Sequence, residues 1–264
     1  MTPAVKNNGG TFHAACRRLP NFSGRRHCAL WILFLFLPLF ASPALGLEAD
    51  APFAGFGTPI DEFTILERGD AYRVTIIYPG IGNRVADADL SLWARGRASS
   101  FIKSIEDIAG TVLLPYELHI YYETVKASQT TASIIFTTTI TMGEAYPESG
   151  LTTFTFDLND GRRLSYGGIF RNLDGLFDFF AACSRSELLT RLREKGDLRL
   201  LESGTTADPA NFDLFSLSPT GITLYFPPGQ AAPATEGYLR VHIGLEELAP
   251  FGPYLKLWGK PENS

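Results

Sequence analysis

Between residues 63 and 248 the spacing of apolar positions changes several times, and each change marks a new element. Residues 63–66 and 72–78 set β-branched and aromatic side chains around a turn at 67–70, the composition of a hairpin that Pro79 and Gly80 close. Leu90, Ala94, Ala98, Phe101, Ile105 and Ile108 then recur at steps of three and four, which predicts a helix over 85–108 with one apolar stripe to lay on a sheet. Strands at 117–126, 132–142 and 152–158 supply that sheet. In the middle one Ile134, Phe136, Thr138, Ile140 and Met142 alternate with Ser133, Thr137, Thr139 and Thr141, so one face is expected to pack and the other to meet water. Asn159, Asp160 and Gly161 have the turn chemistry to fold a hairpin onto 163–166. Phe177, Phe180, Ala181, Leu188 and Leu192 place a second amphipathic helix over 174–194. Residues 196–210 read as a polar loop, 212–217 and 222–226 as strands around a turn, 238–243 as a last strand and 245–248 as a short helix. The expectation is an α+β fold in which antiparallel sheets pack against two main helices.

Ahead of this lies a different pattern. Residues 1–27 hold Lys6, Arg17, Arg18, Arg25 and Arg26 and no acid, and an unbroken apolar run from Cys28 to Phe40 follows. A run of about 13 residues suits the core of a signal peptide and falls short of the roughly 20 that cross a bilayer. Ala44 and Gly46 then fit a small-x-small cleavage site, with Ser42 and Ala44 as an alternative pair. Residues 1–46 are therefore expected to be a signal peptide for ordinary secretion, and 47–62, with Pro and Gly at close intervals, a tether. The expected location is periplasmic or secreted, with inner-membrane anchorage if the leader is retained. The membrane is expected to matter as a partner through that leader alone.

Removing the leader shifts the charge. Five of the 23 Lys and Arg leave with it and none of the 28 acids, so 18 cations face 28 anions, a formal charge of −10. Nucleic acid is an improbable partner for such a surface, because phosphate binding needs clustered cations; a cationic partner would be steered towards it. Cys16 and Cys28 also leave, and Cys183 stands alone inside the second helix, where a small core residue explains it.

Little in the chain asks for catalysis. His119 and His242 are the two histidines beyond the leader, each among polar strand neighbours, with no HExxH, no Cys/His cluster and no GxSxG turn. No metal and no cofactor is expected. Asp157, Asn159 and Asp160 lack the alternating oxygens of a calcium loop and read as a turn. The acid pairs Asp61-Glu62, Glu106-Asp107 and Glu246-Glu247 are adjacent in sequence and read as solvated surface charge. Tyr116, Tyr121, Tyr122, Tyr146 and Tyr166 exceed what a thin core needs, and tyrosine suits a binding surface because it offers area at small entropic cost.

Several stretches resemble known families. Tyr78-Pro79 and a helix opening near Asn83 resemble the start of the domain that precedes the catalytic unit in PdaC-type peptidoglycan deacetylases. Ile134 to Met142, then Gly143-Glu144-Ala145-Tyr146-Pro147, then Thr153-Phe154-Thr155-Phe156-Asp157, Gly161-Arg162-Arg163-Leu164 and Gly168-Ile169-Phe170 resemble the RsiV-like domain. Phe226-Pro227-Pro228-Gly229-Gln230 through Gly237, leading into 238–243 and Leu248, is similar to that family's closing segment. The likeness covers most of residues 72–251, with 63–142 as the PdaC-type segment and 143–264 as the RsiV-like one, or both as one compact unit. Glu144 and Tyr146 stand where the family has Gly and His, and Gly229 where a Tyr is usual, so whatever the family His does is not carried over. With no metal-binding His pair in the sequence, the deacetylase catalytic domain is not expected in it. What the resemblance implies is an extracytoplasmic binding or sensing domain of largely unknown function; from the lack of a catalytic pattern, no enzyme activity is expected. RsiV-type members recognise lysozyme, a cationic protein, and the excess of acids suits such a partner or cell-wall material. Glu144, Tyr146, Pro147, Gln230, Pro233 and Glu236, on the two loops where the family pattern varies, are the candidate binding residues. The rival expectation is a glycan hydrolase whose carboxylates are brought together by folding, and a third is a structural envelope protein without a ligand.

Overall fold

The computed structural model describes residues 61–106, 115–143, 146–192 and 197–262. The leader 1–46, residues 47–60 of the tether, Ile108 and Glu144 lie outside these.

The opening hairpin forms as its composition predicts: β1 (Asp61–Arg68) pairs antiparallel with β2 (Tyr72–Gly80). Helix α1 (Arg84–Glu106) follows, and Asn83 starts it by accepting from Val85 N and Ala86 N through its side-chain oxygen while its amide donates to Leu158 O, 2.9 Å away. One side chain thus caps the helix and ties it to the sheet. The chain then crosses into β3 (Tyr116–Lys126), which lies parallel to β2. This departs from a purely antiparallel expectation, for a physical reason: a helix between two strands of one sheet returns the chain in the direction it started. The long strands β4 (Thr131–Thr141) and β5 (Glu148–Asp157), and the two-residue β6 (Arg162–Arg163), add antiparallel neighbours, giving one six-stranded sheet in sequence order. Gly161, at φ 76°, makes the turn into β6. Leu90, Ala94, Ala98, Phe101 and Ile105 are all buried against Val74, Ile76, Leu118, Ile120, Ile134, Phe136 and Phe156, so the apolar stripe of α1 covers the inner face of this sheet. Trp93 closes the packing with its ring centroid 4.2 Å from that of Phe136.

A second core forms around a three-stranded antiparallel sheet of β7 (Phe215–Ser218), β8 (Gly221–Phe226) and β9 (Leu239–Gly244). Before it come the single-turn α2 (Tyr166–Ile169) and α3 (Leu176–Leu192), whose Leu176, Phe180, Ala181, Cys183, Leu188 and Leu192 are buried among Leu217, Leu224, Phe226, Val241 and Ile243. Cys183 is buried, as a small core residue should be. Residues 196–210 are not the loop expected. They hold α4 (Leu198–Gly204), capped by the Asp197 side chain on Arg199 N, and a 3₁₀ turn at Pro209–Phe212 capped by Asp208 on Ala210 N. The short helix expected at 245–248 is instead a run of turns, with a 3₁₀ turn at Ala249–Phe251 after it.

The largest correction concerns β4. Its two faces were expected to differ, yet 131–136 are buried on both sides, Ser133 and Ile135 included. Strand β7 lies across the outer face there. In the second sheet β7 is an edge, and the backbone N–H groups it turns away from β8 must find partners if they are buried. They find hydroxyls: Phe215 N donates to Thr153 Oγ1 at 3.1 Å and Leu217 N to Ser133 Oγ at 2.9 Å. Ser133 Oγ also bonds Thr155 Oγ1 at 2.8 Å. The polar alternation of β4 and β5 that suggests a wet face serves, over this half, as an acceptor row for the edge of another sheet.

Candidate functional site

The second sheet covers half of the outer face and leaves the other half open. Strand alternation puts Glu117, His119 and Tyr121 of β3 on that face. Their cross-strand neighbours in β4 are Thr141, Thr139 and Thr137, while Arg73 and Thr75 of β2 lie beside Glu117 and His119. Tyr121 is 49% exposed and Thr137 is exposed, whereas Ser133 two pairs further along is fully covered. At the covered margin stand Tyr225, whose hydroxyl bonds Ser216 Oγ at 2.9 Å, and Arg240, 6.0 Å above the Tyr225 ring. At the other end the β4–β5 turn carries Tyr146, 96% exposed, and Pro147, also exposed. The open surface therefore lies between the sheet junction and the end of the sheet that carries that turn.

Its polar groups are held in place. Arg73 Nη1 reaches Glu117 Oε1 at 3.1 Å, and His119 Nε2 lies 3.3 Å from Glu117 Oε2. The imidazole ring is parallel to that of Tyr121, at 2° between planes and 6.3 Å between centroids. The hydrogen bond from His119, with a smaller contribution from Arg73, holds the Glu117 carboxyl below its ordinary value of 4.5. Because its folded value is depressed, the stability Glu117 contributes is present above its unfolded value and is lost as pH falls through the folded one. The group is close to solvent, so the amount is small. We expect His119→Ala to move the Glu117 titration, followed by carboxyl-carbon NMR, up towards 4.5.

The candidate residues divide between two places. Tyr146 and Pro147 are exposed just before β5, at the end of the sheet that bears the open face; Glu144, in the same turn, is outside the described residues. Gln230, Pro233 and Glu236 sit on the loop from β8 to β9 in the second core, and the Gln230 amide donates to Gly204 O and Asn211 O, each at 3.0 Å. The tyrosines divide as well. Tyr121 and Tyr146 are exposed, and Tyr122 donates to Glu62 Oε2 at 2.8 Å, with burial and that bond pushing its phenol up to about 12. Tyr166 is not a surface residue of the kind expected. Its ring packs among Phe170, Phe177, Phe180 and Phe215, and its hydroxyl donates to Phe212 O.

Among the described residues there is no group of three His, Cys, Asp or Glu placed to hold a metal. One acidic grouping does form that the sequence pattern leaves invisible. Glu187 on α3 has its carboxyl raised by desolvation, opposed by Arg191 and reinforced by Glu247. Glu247 also accepts from Gly244 N at 3.0 Å and acts on His242, which stands between the hydroxyls of Thr220 and Thr223. His242 itself is lowered by burial, with Glu247 opposing. Glu187 and Glu247 lie 60 positions apart in the chain, so no spacing rule could have joined them.

Residues 175–246, which span α3, α4 and the three strands of the second sheet, match the family described as a protein of unknown function, DUF3298. Among characterised proteins the chain is 26% identical over 177 residues to the peptidoglycan-N-acetylmuramic acid deacetylase PdaC of Bacillus subtilis. The match takes in 67% of this chain and 37% of that enzyme, so it spans well under half of the relative's length. A solved DUF3298 family protein from Pseudomonas aeruginosa shares the fold at a TM-score of 0.55 and 11% identity, covering 76% of this chain and 97% of that one. A Bacteroides fragilis member of the same family aligns at a TM-score of 0.49 and 14% identity over 75% of this chain and 95% of its own. The resemblance to RsiV-like and PdaC-type proteins and the α+β class are borne out.

Proposed function

We propose that the chain is an exported, non-catalytic binding module of the cell envelope, and that its ligand surface is the open half of the outer sheet face together with the β4–β5 turn. The observation that carries this reading is the partial cover: β7 seals the face at Ser133 and stops, leaving exposed aromatic and hydroxyl side chains on rigid strands. A strand-borne tyrosine such as Tyr121, stacked on His119 beside fixed polar groups, suits recognition, since little side-chain freedom is lost on contact. Export rests on the basic and then apolar pattern of residues 1–46. The ligand class follows from charge and kinship. With 28 acids against 18 cations after the leader, the surface suits a cationic protein such as lysozyme, and the kinship to a peptidoglycan deacetylase makes cell-wall material the other candidate.

Pull-down with lysozyme and with soluble peptidoglycan fragments tests this, and retention of at least one is expected. Tyr121→Ala and Tyr146→Ala should each weaken that binding about tenfold, as truncating a central aromatic contact does, with no change in thermal midpoint beyond about 2 °C for exposed positions. Retention of neither ligand removes the reading.

The second reading is a glycan hydrolase whose carboxylates are brought together by folding, and Glu187, on α3 within the field of Glu247, is the carboxylate to replace first. If the protein solubilises cell wall and Glu187→Gln abolishes that activity, the second reading replaces the first.

A further inference from the structure

A separate concavity of about 410 Å³ lies where the C-terminal segment folds back on the β3–β4 turn. Its walls are Ser128, Gln129 and Thr130 on one side, Asn159 on another, and Lys256, Leu257, Gly259, Lys260 and Pro261 on the third. No acid lines it, although acids outnumber bases in the chain as a whole. Two cations do, Lys256 and Lys260, over an apolar floor of Leu257 and Pro261.

The local backbone brings both lysine positions to this wall, with the Lys256 ammonium 5.9 Å from the Tyr254 ring centroid. Residues Leu255–Trp258 make a 3₁₀ turn, and Gly259 ends it in the left-handed region at φ 66°. Gly259 N donates to Lys256 O at 3.0 Å and Lys260 N to Leu255 O at 3.1 Å, which turns the chain back over the β3–β4 turn. A methyl group on Gly259 would meet Ser128 Cβ at 3.4 Å, so the two walls are close. The nearest acid in sequence, Glu262, is not among the lining residues; it pairs with Arg171 and accepts from Lys256 N at 3.3 Å, so its charge also acts on Lys256. Opposite the lysines, Ser128 Oγ and Thr130 Oγ1 bond each other at 3.2 Å and Asn159 Nδ2 is spent on Asp157 Oδ1 at 2.8 Å. The turn is thereby rigid, while the Gln129 amide projects from it, exposed.

We infer that this concavity is a binding site for a small oxyanion, a carboxylate or phosphate carried on a body about the size of one sugar ring. Two cations with no lining acid supply charge recognition, the Gln129 amide supplies hydrogen bonds, and Leu257 with Pro261 supplies an apolar contact. The cavity volume lies within the range of small-ligand sites, which is roughly 300–1,000 Å³.

The test uses the purified protein and amide NMR. Inorganic phosphate, glucose 6-phosphate and glucuronate are titrated separately, with glucose as the neutral control. Saturable shifts confined to residues 128–130 and 256–261 are expected with the anions and not with glucose, weakening in 0.5 M salt because exposed charges are screened. The double substitution Lys256→Gln with Lys260→Gln should reduce affinity at least tenfold while leaving amide shifts elsewhere unchanged. A response to both phosphates alone, or to glucuronate alone, identifies which oxyanion the site takes. Absence of a saturable shift with every anion, equal shifts with glucose, or unchanged affinity in the double variant would overturn the assignment.

Discussion

Replacing Ser133 by Ala should lower stability by about 2–4 kcal/mol. The hydroxyl is fully buried and serves two partners, accepting from Leu217 N at 2.9 Å and bonding Thr155 Oγ1 at 2.8 Å. Without it the Leu217 N–H faces β4 with nothing to receive it, and a buried donor left unsatisfied costs about 1–3 kcal/mol. Thr155, 2% exposed, loses its partner in the same step. For a domain of this size that corresponds to a fall in thermal midpoint of about 5–15 °C. The control is Thr137→Ala, on the same strand and the same face but outside the cover of β7, where a change within about 0.5 kcal/mol is expected. Equal losses at the two positions, measured by urea unfolding, would mean that β7 does not seal this face.

Gly204→Ala should be as severe, about 3 kcal/mol, and for a different reason. Gly204 is buried at the end of α4, and a methyl group there would overlap the backbone carbonyl of Gln230. The obstacle is main chain, so no rotamer change relieves it, and a packed interior yields little. The same contact is fastened by the Gln230 amide on Gly204 O. A thermal midpoint within about 2 °C of the parent would show that the 229–237 loop is free to move away from α4.

These two positions also show what the sequence made legible and what it did not. Long periodic segments were readable because each has one dominant partner: the stripe from Leu90 to Ile105 needs a sheet and α1 finds one. Ser133 misled because a hydroxyl on an alternating strand looks the same whether it faces water or the edge of another strand, and the difference lies 84 positions away at Leu217. Residues 196–210 misled because α4 is seven residues long, too short for a period to show, although Asp197 before Leu198 was a usable cap signal. Of the site, the exposure of Tyr121 and Tyr146 followed from an excess of tyrosines over core needs. Tyr166 broke that inference, since a phenol with a backbone acceptor in reach, here Phe212 O, can be packed among phenylalanines. The Glu187 and Glu247 coupling and the Lys256 and Lys260 concavity are products of the tertiary fold, with no local signature.

Mapping a bound ligand onto the outer sheet face is the most direct examination of the account. Lysozyme and soluble peptidoglycan fragments are added in turn to the labelled protein, and amide perturbations are followed residue by residue. The account predicts that at least one ligand perturbs Glu117, His119, Tyr121, Thr137, Thr139 and Tyr146, and leaves Glu187 and His242 unmoved. Perturbation centred on Glu187, Glu247 and His242, accompanied by cleavage of the added glycan, would contradict it.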